Sequence, residues 1–111
     1  MAKEYLDRLQ AMLDPVVAAL PAGITLICKH FFSGAAAYAN GQICITLTPV
    51  GLAMKLPEED RDALIKEGAS PLRYFPKAPV KKDYVILPQG LRDDAAQRAL
   101  WVGRAIAYVL P

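Results

Sequence analysis

The 111-residue chain predicts an α+β fold: an antiparallel sheet of about five strands, laid out as a meander of hairpins, with an N-terminal helix, a middle helix and a C-terminal helix. Three observations predict it. Apolar residues recur at helical spacing near both ends, β-branched and apolar runs separated by turn residues fill Ile24 to Leu56, and an acidic, proline-led segment follows them.

In the opening segment Tyr5, Leu6, Leu9, Met12 and Leu13 share one face while Glu4, Asp7, Arg8 and Gln10 fill the other, as in a surface helix. Asp14 before Pro15 reads as a fresh N-cap, so a kink and a short second turn, "PVVAAL", are expected before "PAG" ends the element. Strands are expected in "ITLICKHF", "AAAY", "QICITLT" and "GLAMKL", forming two hairpins in series. Asn40-Gly41 is the strongest turn signal, because both residues tolerate the positive φ of a type I′ turn; the second hairpin is expected to turn at Thr48-Pro49-Val50-Gly51. "PEEDRDALIKEG", Pro57 to Gly68, has proline to start a helix, three acids at its positive dipole end and glycine to stop it. "LRYF" at 72–75 and "DYVIL" at 83–87 are strand candidates, and a helix from about Asp93 to Leu110 closes the chain.

Composition removes several function classes. Thirteen basic and eleven acidic residues leave +2, short of the excess of a dedicated nucleic-acid binder. Cys28 and Cys44 lie in apolar runs outside any C-x-x-C pair and read as reduced, packed thiols. "MAKEYLDRLQ" mixes both charges, unlike a secretory signal, and the uncharged stretch from 15 to 28 is interrupted by Pro15, Pro21 and Gly23 and is too short for a bilayer. A soluble, cytoplasmic, single-domain protein spanning residues 1–111 is expected, with no membrane association. The hydrophobic share of 54% is high for this size and points to apolar surface buried against a second copy, hence a homodimer.

The stretch "KHFFSGAAAYANGQICITLTPVG" has the small residues of a phosphate loop, yet Gly34 leads into alanines and a strand instead of a helix N-terminus. Cys28 and His30 share a strand face, but i and i+2 side chains lean parallel, and no acid is placed to orient the histidine. Cys28, His30 and Cys44 also fall one ligand short of a closed zinc site. A ligand site or minor activity around Cys28, His30, Phe31 and Phe32 is the weakest of three functional readings. No catalytic residue, metal or cofactor is expected. The acids at Glu58, Glu59 and Asp60, and at Asp93 and Asp94, fall at helix starts, where capping explains them.

Two surfaces are candidates for partners. Arg73, Lys77, Lys81 and Lys82, interleaved with Tyr74, Phe75 and Tyr84, suit nucleic acid, although lysines beside strands also protect sheet edges, the favoured reading. On the last helix Trp101, Arg104 and Tyr108 share a face fit for a protein partner or for cover by the first helix. Ala96, Ala99, Gly103 and Ala107 form a small-residue stripe, expected to allow close approach of a neighbouring element. No charge occurs between Lys29 and Lys55, so both faces of the meander are expected to be covered, the second by helices or, preferably, by another subunit.

Taken together, "YLDRLQAML", "HFFSG", "AAAYANGQICITLTPVGLAMKL", "PLRYFPKAPVKKDYVILP" and Trp101 resemble, in order and spacing, the N-terminal domain of the TfoX/Sxy competence-regulator family. Phe32 and Gly34 match the family's arginine-methionine-phenylalanine-glycine-glycine motif, while His30 and Ser33 replace its arginine and first glycine; Tyr38 and Gly41 follow in the hairpin. The resemblance implies an antiparallel α+β fold, no catalytic residues and a stand-alone domain without the family's C-terminal one. It also implies a regulatory role, since longer members promote transcription of DNA-uptake genes together with the cyclic-AMP receptor protein.

Overall fold

Leu9 and Leu13 are fully buried and Tyr5, Leu6, Met12 and Val16 partly so, which is the stripe expected of the first helix. In the computed structural model, which describes residues 2–73, 77 and 79–110, that helix is α1 (Ala2–Ala18). It runs unbroken through Pro15, so the expected restart at Asp14 does not occur. Proline this close to the end removes one backbone bond, and the packed residues on either side hold the turn in place.

Four strands follow: β1 (Leu26–Phe31), β2 (Gly34–Ala39), β3 (Gln42–Thr48) and β4 (Gly51–Lys55). Their three tight turns make one hairpin more than expected, because Phe32-Ser33 also reverses the chain. Asn40 (φ +46) and Gly41 (φ +84) confirm the type I′ signature, and Thr48 opposite Gly51 confirms the other predicted turn. The Asn40 side chain also accepts from Thr25 N at 2.8 Å and donates to Gly23 O at 3.1 Å, anchoring the approach to β1.

α2 (Glu58–Lys66) begins after Pro57, with Glu58, Glu59 and Asp60 in its first turn, and Gly68 at φ +103 ends it. β5 (Ser70–Pro71) comes two residues before the strand expected at 72–75; Leu72 and Arg73 are outside strands, and Tyr74 and Phe75 lie outside the described residues. β6 (Tyr84–Ile86) matches its expectation. A short α3 (Gln89–Arg92) was not foreseen, and α4 (Ala95–Val109) starts after Asp94, whose carboxylate accepts from Ala96 N and Gln97 N.

The described residues form a six-stranded sheet in the order β1-β2-β3-β4-β6-β5, antiparallel throughout. Helices α1 and α4 pack on the face that carries Ala35, Ala37, Ile45, Leu47, Leu52, Met54 and Val85, and with these they make the core. A bulge inserts Cys44 between Ile43 and Ile45, turning both Cys44 and Ile45 into that core. The opposite face carries Ala36, Thr46 and Ala53 in register, each with 0% exposure in the isolated chain. The charge-free meander is thus closed on both faces at its centre, and one chain suffices to close it. That removes the reason to place a second subunit on this face.

Candidate interaction surfaces

Trp101, Arg104 and Tyr108 project at i, i+3 and i+7 from α4, beside the core residues Val102, Ala105 and Ile106. Arg104 stacks 5.1 Å from the Trp101 ring centroid and donates from Nη1 to Asp60 Oδ1 of α2 at 3.0 Å. The Tyr108 hydroxyl donates to Asp83 Oδ1 at 3.4 Å, an oxygen that also lies 3.8 Å from Arg61 Nη2, while Arg61 Nε donates to Leu56 O at 2.9 Å. Asp83 itself sits at φ +73 at the entry to β6. These side chains form a tie between α4, α2 and the start of β6. Arg104 and Tyr108 are thus held by α2 and the approach to β6, Trp101 packs against the core, and Tyr108 remains 41% exposed. Trp101 Nε1 is buried with no hydrogen-bond partner among the described residues. Asp60, Arg61 and Asp83 escaped the sequence reading, since helix-start capping accounted for Asp60 and nothing in "KKDY" marks Asp83 as a partner of Tyr108.

The "HFFSG" corner is geometry first. Phe32 adopts φ +48 in the two-residue turn and is 84% exposed, its ring 4.5 Å from that of Phe31. A Cβ on Gly34 would overlap the Leu47 carbonyl oxygen and press on Thr48 Cα, so only glycine lets β2 lie this close to β3. Tyr38 lies beneath Lys29, with Nζ 5.4 Å from the ring centroid, and Gly41 completes the type I′ turn.

Arg73, Lys77, Lys81 and Lys82 are all exposed in the segment that follows edge strand β5, and Lys81 N donates to Leu72 O across its base. Their interleaved Tyr74 and Phe75 lie outside the described residues.

Cys28 and His30 do share a face, with Cys28 half-buried and His30 exposed. Burial, then the charge of Asp14, pushes the Cys28 thiol up, opposite to an activated nucleophile. Burial pushes Cys44 up to about 12, and its Sγ donates to Ala37 O at 3.5 Å. Among the described residues no three His, Cys, Asp or Glu side chains converge on a possible metal position.

Shallow clefts among the described residues accompany these features. One of about 400 Å³ lies between α1 and β1, lined by Leu13, Asp14, Val17, Leu26 and Cys28 among others. An apolar groove of about 350 Å³ lies between the end of α1 and α4, lined by Leu20, Ile24, Gly103, Ala107 and Leu110. A third, of about 320 Å³, is bordered by Asp60, Arg104 and Tyr108. The small-residue stripe of α4 is therefore exposed: Ala96, Ala99, Gly103 and Ala107 face outward, and a Cβ at Gly103 would meet nothing within 4 Å. Close approach does not explain that glycine.

No helix among the described residues is long and apolar enough to cross a membrane. None of the curated proteins matches the chain at a significant level. The family model of the TfoX N-terminal domain matches residues 22–108, from the approach to β1 through nearly all of α4. With this match covering most of the sequence, and the helix-flanked antiparallel sheet agreeing with it, the chain belongs to the TfoX N-terminal domain family.

Proposed function

We propose that this chain is a non-enzymatic regulatory module of the cytoplasm, one domain across residues 1–111, acting as a homodimer through protein contacts in transcriptional or competence control. Family membership supports a regulatory or competence-related domain. The observation that carries the protein-contact reading is Phe32, 84% exposed at φ +48 on a tight hairpin corner. A phenylalanine kept in water on an uncommon backbone conformation is the kind of anchor that a protein partner buries. Tyr108 offers a second, smaller contact beside Trp101 and Arg104.

Deleting the gene in its native cell and measuring transcripts of DNA-uptake genes tests the role. The deletion is expected to change those transcripts. Wild-type protein is expected to restore them, and Phe32→Ser, at equal abundance and equal stability, is not. Unchanged transcripts in the deletion strain would overturn the regulatory reading.

A second reading, contact with nucleic acid, is supported by the placement of Arg73, Lys77, Lys81 and Lys82 in one exposed segment. It predicts DNA binding that falls steeply with salt and weakens in a Lys81→Ala, Lys82→Ala variant. Absence of binding at low salt removes it.

A further inference from the structure

The two edges of the sheet are built differently. At one edge β5 is two residues long, contains Pro71, which has no N–H to offer, and runs into exposed Arg73, Lys77, Lys81 and Lys82. Those are devices that keep edges from pairing. At the other edge β1 has six residues and no proline. Its single lysine, Lys29, is drawn over the ring of Tyr38 on its own sheet.

The backbone groups that β1 offers follow from its hairpin. Asn40 N donates to Thr25 O, so the odd-numbered residues exchange bonds with β2, and Leu26, Cys28 and His30 turn their N–H and C=O groups outward. Beside them Ile27 is 50% and Val17 43% exposed, and the cleft between α1 and β1 holds the carboxylate of Asp14.

We propose that β1 pairs antiparallel with β1 of a second copy, centred on Cys28, joining two sheets into one; this rests on the dimer of the preceding reading and names its surface. A two-fold axis perpendicular to the sheet keeps each face continuous, so residues must meet partners on the same face. Centring on Cys28 satisfies this and uses every outward-facing residue: Leu26 meets His30 of the partner subunit, and Cys28 meets Cys28 of the partner subunit. Lys29 of the partner subunit falls opposite apolar Ile27, and His30 of the partner subunit falls at the cleft lined by Asp14, where an imidazole N–H can donate to the carboxylate. Centring on Lys29 instead would oppose two cations at close range.

Light scattering and sedimentation on the full chain test this. Wild-type protein is expected at twice the chain mass. Ile27→Lys opposes Lys29 of the partner subunit on both sides of the axis and is expected to weaken the dimer about tenfold; Ile27→Glu is expected to retain or tighten it. His30→Pro removes an outward N–H and no bond to β2, and is expected to give a folded monomer by circular dichroism. Oxidation with copper phenanthroline is expected to link Cys28 to Cys28 of the partner subunit, because such a pair holds its Cα atoms about 5.5 Å apart, within the disulfide span of roughly 4.4–6.8 Å. Cys28→Ser removes the link. A monomeric wild type, or a dimer indifferent to charge at Ile27 and unlinked at Cys28, overturns the proposal. A monomer that still restores the transcripts overturns this edge and leaves the regulatory reading intact.

Discussion

Gly34 shows how one atom sets the spacing of two strands. Its missing Cβ is the space occupied by the backbone of Leu47 and Thr48, which cannot move without breaking the β2–β3 ladder. Gly34→Ala is therefore expected to destabilise the protein by about 3 kcal/mol or more, at the upper end of overpacking costs, read as a lowered denaturant midpoint. Cys44 makes a different kind of prediction. Its thiol stays protonated in the folded chain up to about 12, against an ordinary value of 9.0, because burial disfavours the thiolate. Between those values the unfolded chain has released the proton and the folded chain has not. Stability from this residue is complete below pH 9 and is lost as pH rises towards 12, with a slope of about 1.4 kcal/mol per pH unit. Urea titrations at several alkaline pH values check it, with Cys44→Ala as the control that flattens the slope. The apolar surroundings of Cys44 were legible in "QICITL"; the bulge that turns its side chain into the core was not, since a bulge is a property of two strands in register.

At the scale of elements, local signals succeeded wherever one segment decides its own conformation. Asn40-Gly41, Pro57 with three acids, and Asp94 each act within a few residues, and each stands where it was expected. Pro15 failed as a signal because its local cost is smaller than the packing that keeps α1 in one piece. The stripe on α4 failed for the opposite reason. Small side chains allow close approach but do not attract a neighbour, and the larger Val102 and Ile106 took the core side with Ala105. Because a Cβ at Gly103 meets open space, Gly103→Ala is expected to stabilise α4 by about 1 kcal/mol, seen as a higher thermal midpoint. The tie of Arg104 and Tyr108 to Asp60 and Asp83 spans elements far apart in sequence. Its aromatic and arginine members stand out on one face of α4 in the sequence, whereas neither acid is marked by its own segment.

Across the whole molecule, the sheet has a closed centre and unequal edges. Ala36, Thr46 and Ala53 on one face and Ala37, Ile45 and Met54 on the other are fully buried, so opening β2, β3 or β4 exposes both faces at once. Amides of Ala35–Ala37 and Ile45–Leu47 are expected to exchange with deuterium only through global unfolding. Those of Leu26, Cys28 and His30 are expected to exchange quickly in dilute protein and slowly at concentrations that favour the dimer. Exchange of these three amides that does not depend on concentration would count against the β1 edge.

The sequence by itself determined the fold class, the type I′ turn, the starts of α2 and α4 and the burial of an uncharged meander, because periodicity, φ preference and charge act locally. Tertiary structure alone decided which chain covers the second face, which edge of the sheet stays open, and which acids meet Arg104 and Tyr108. The reason is physical: strand register, edge exposure and long-range ion pairs depend on distances between segments that a linear pattern does not contain.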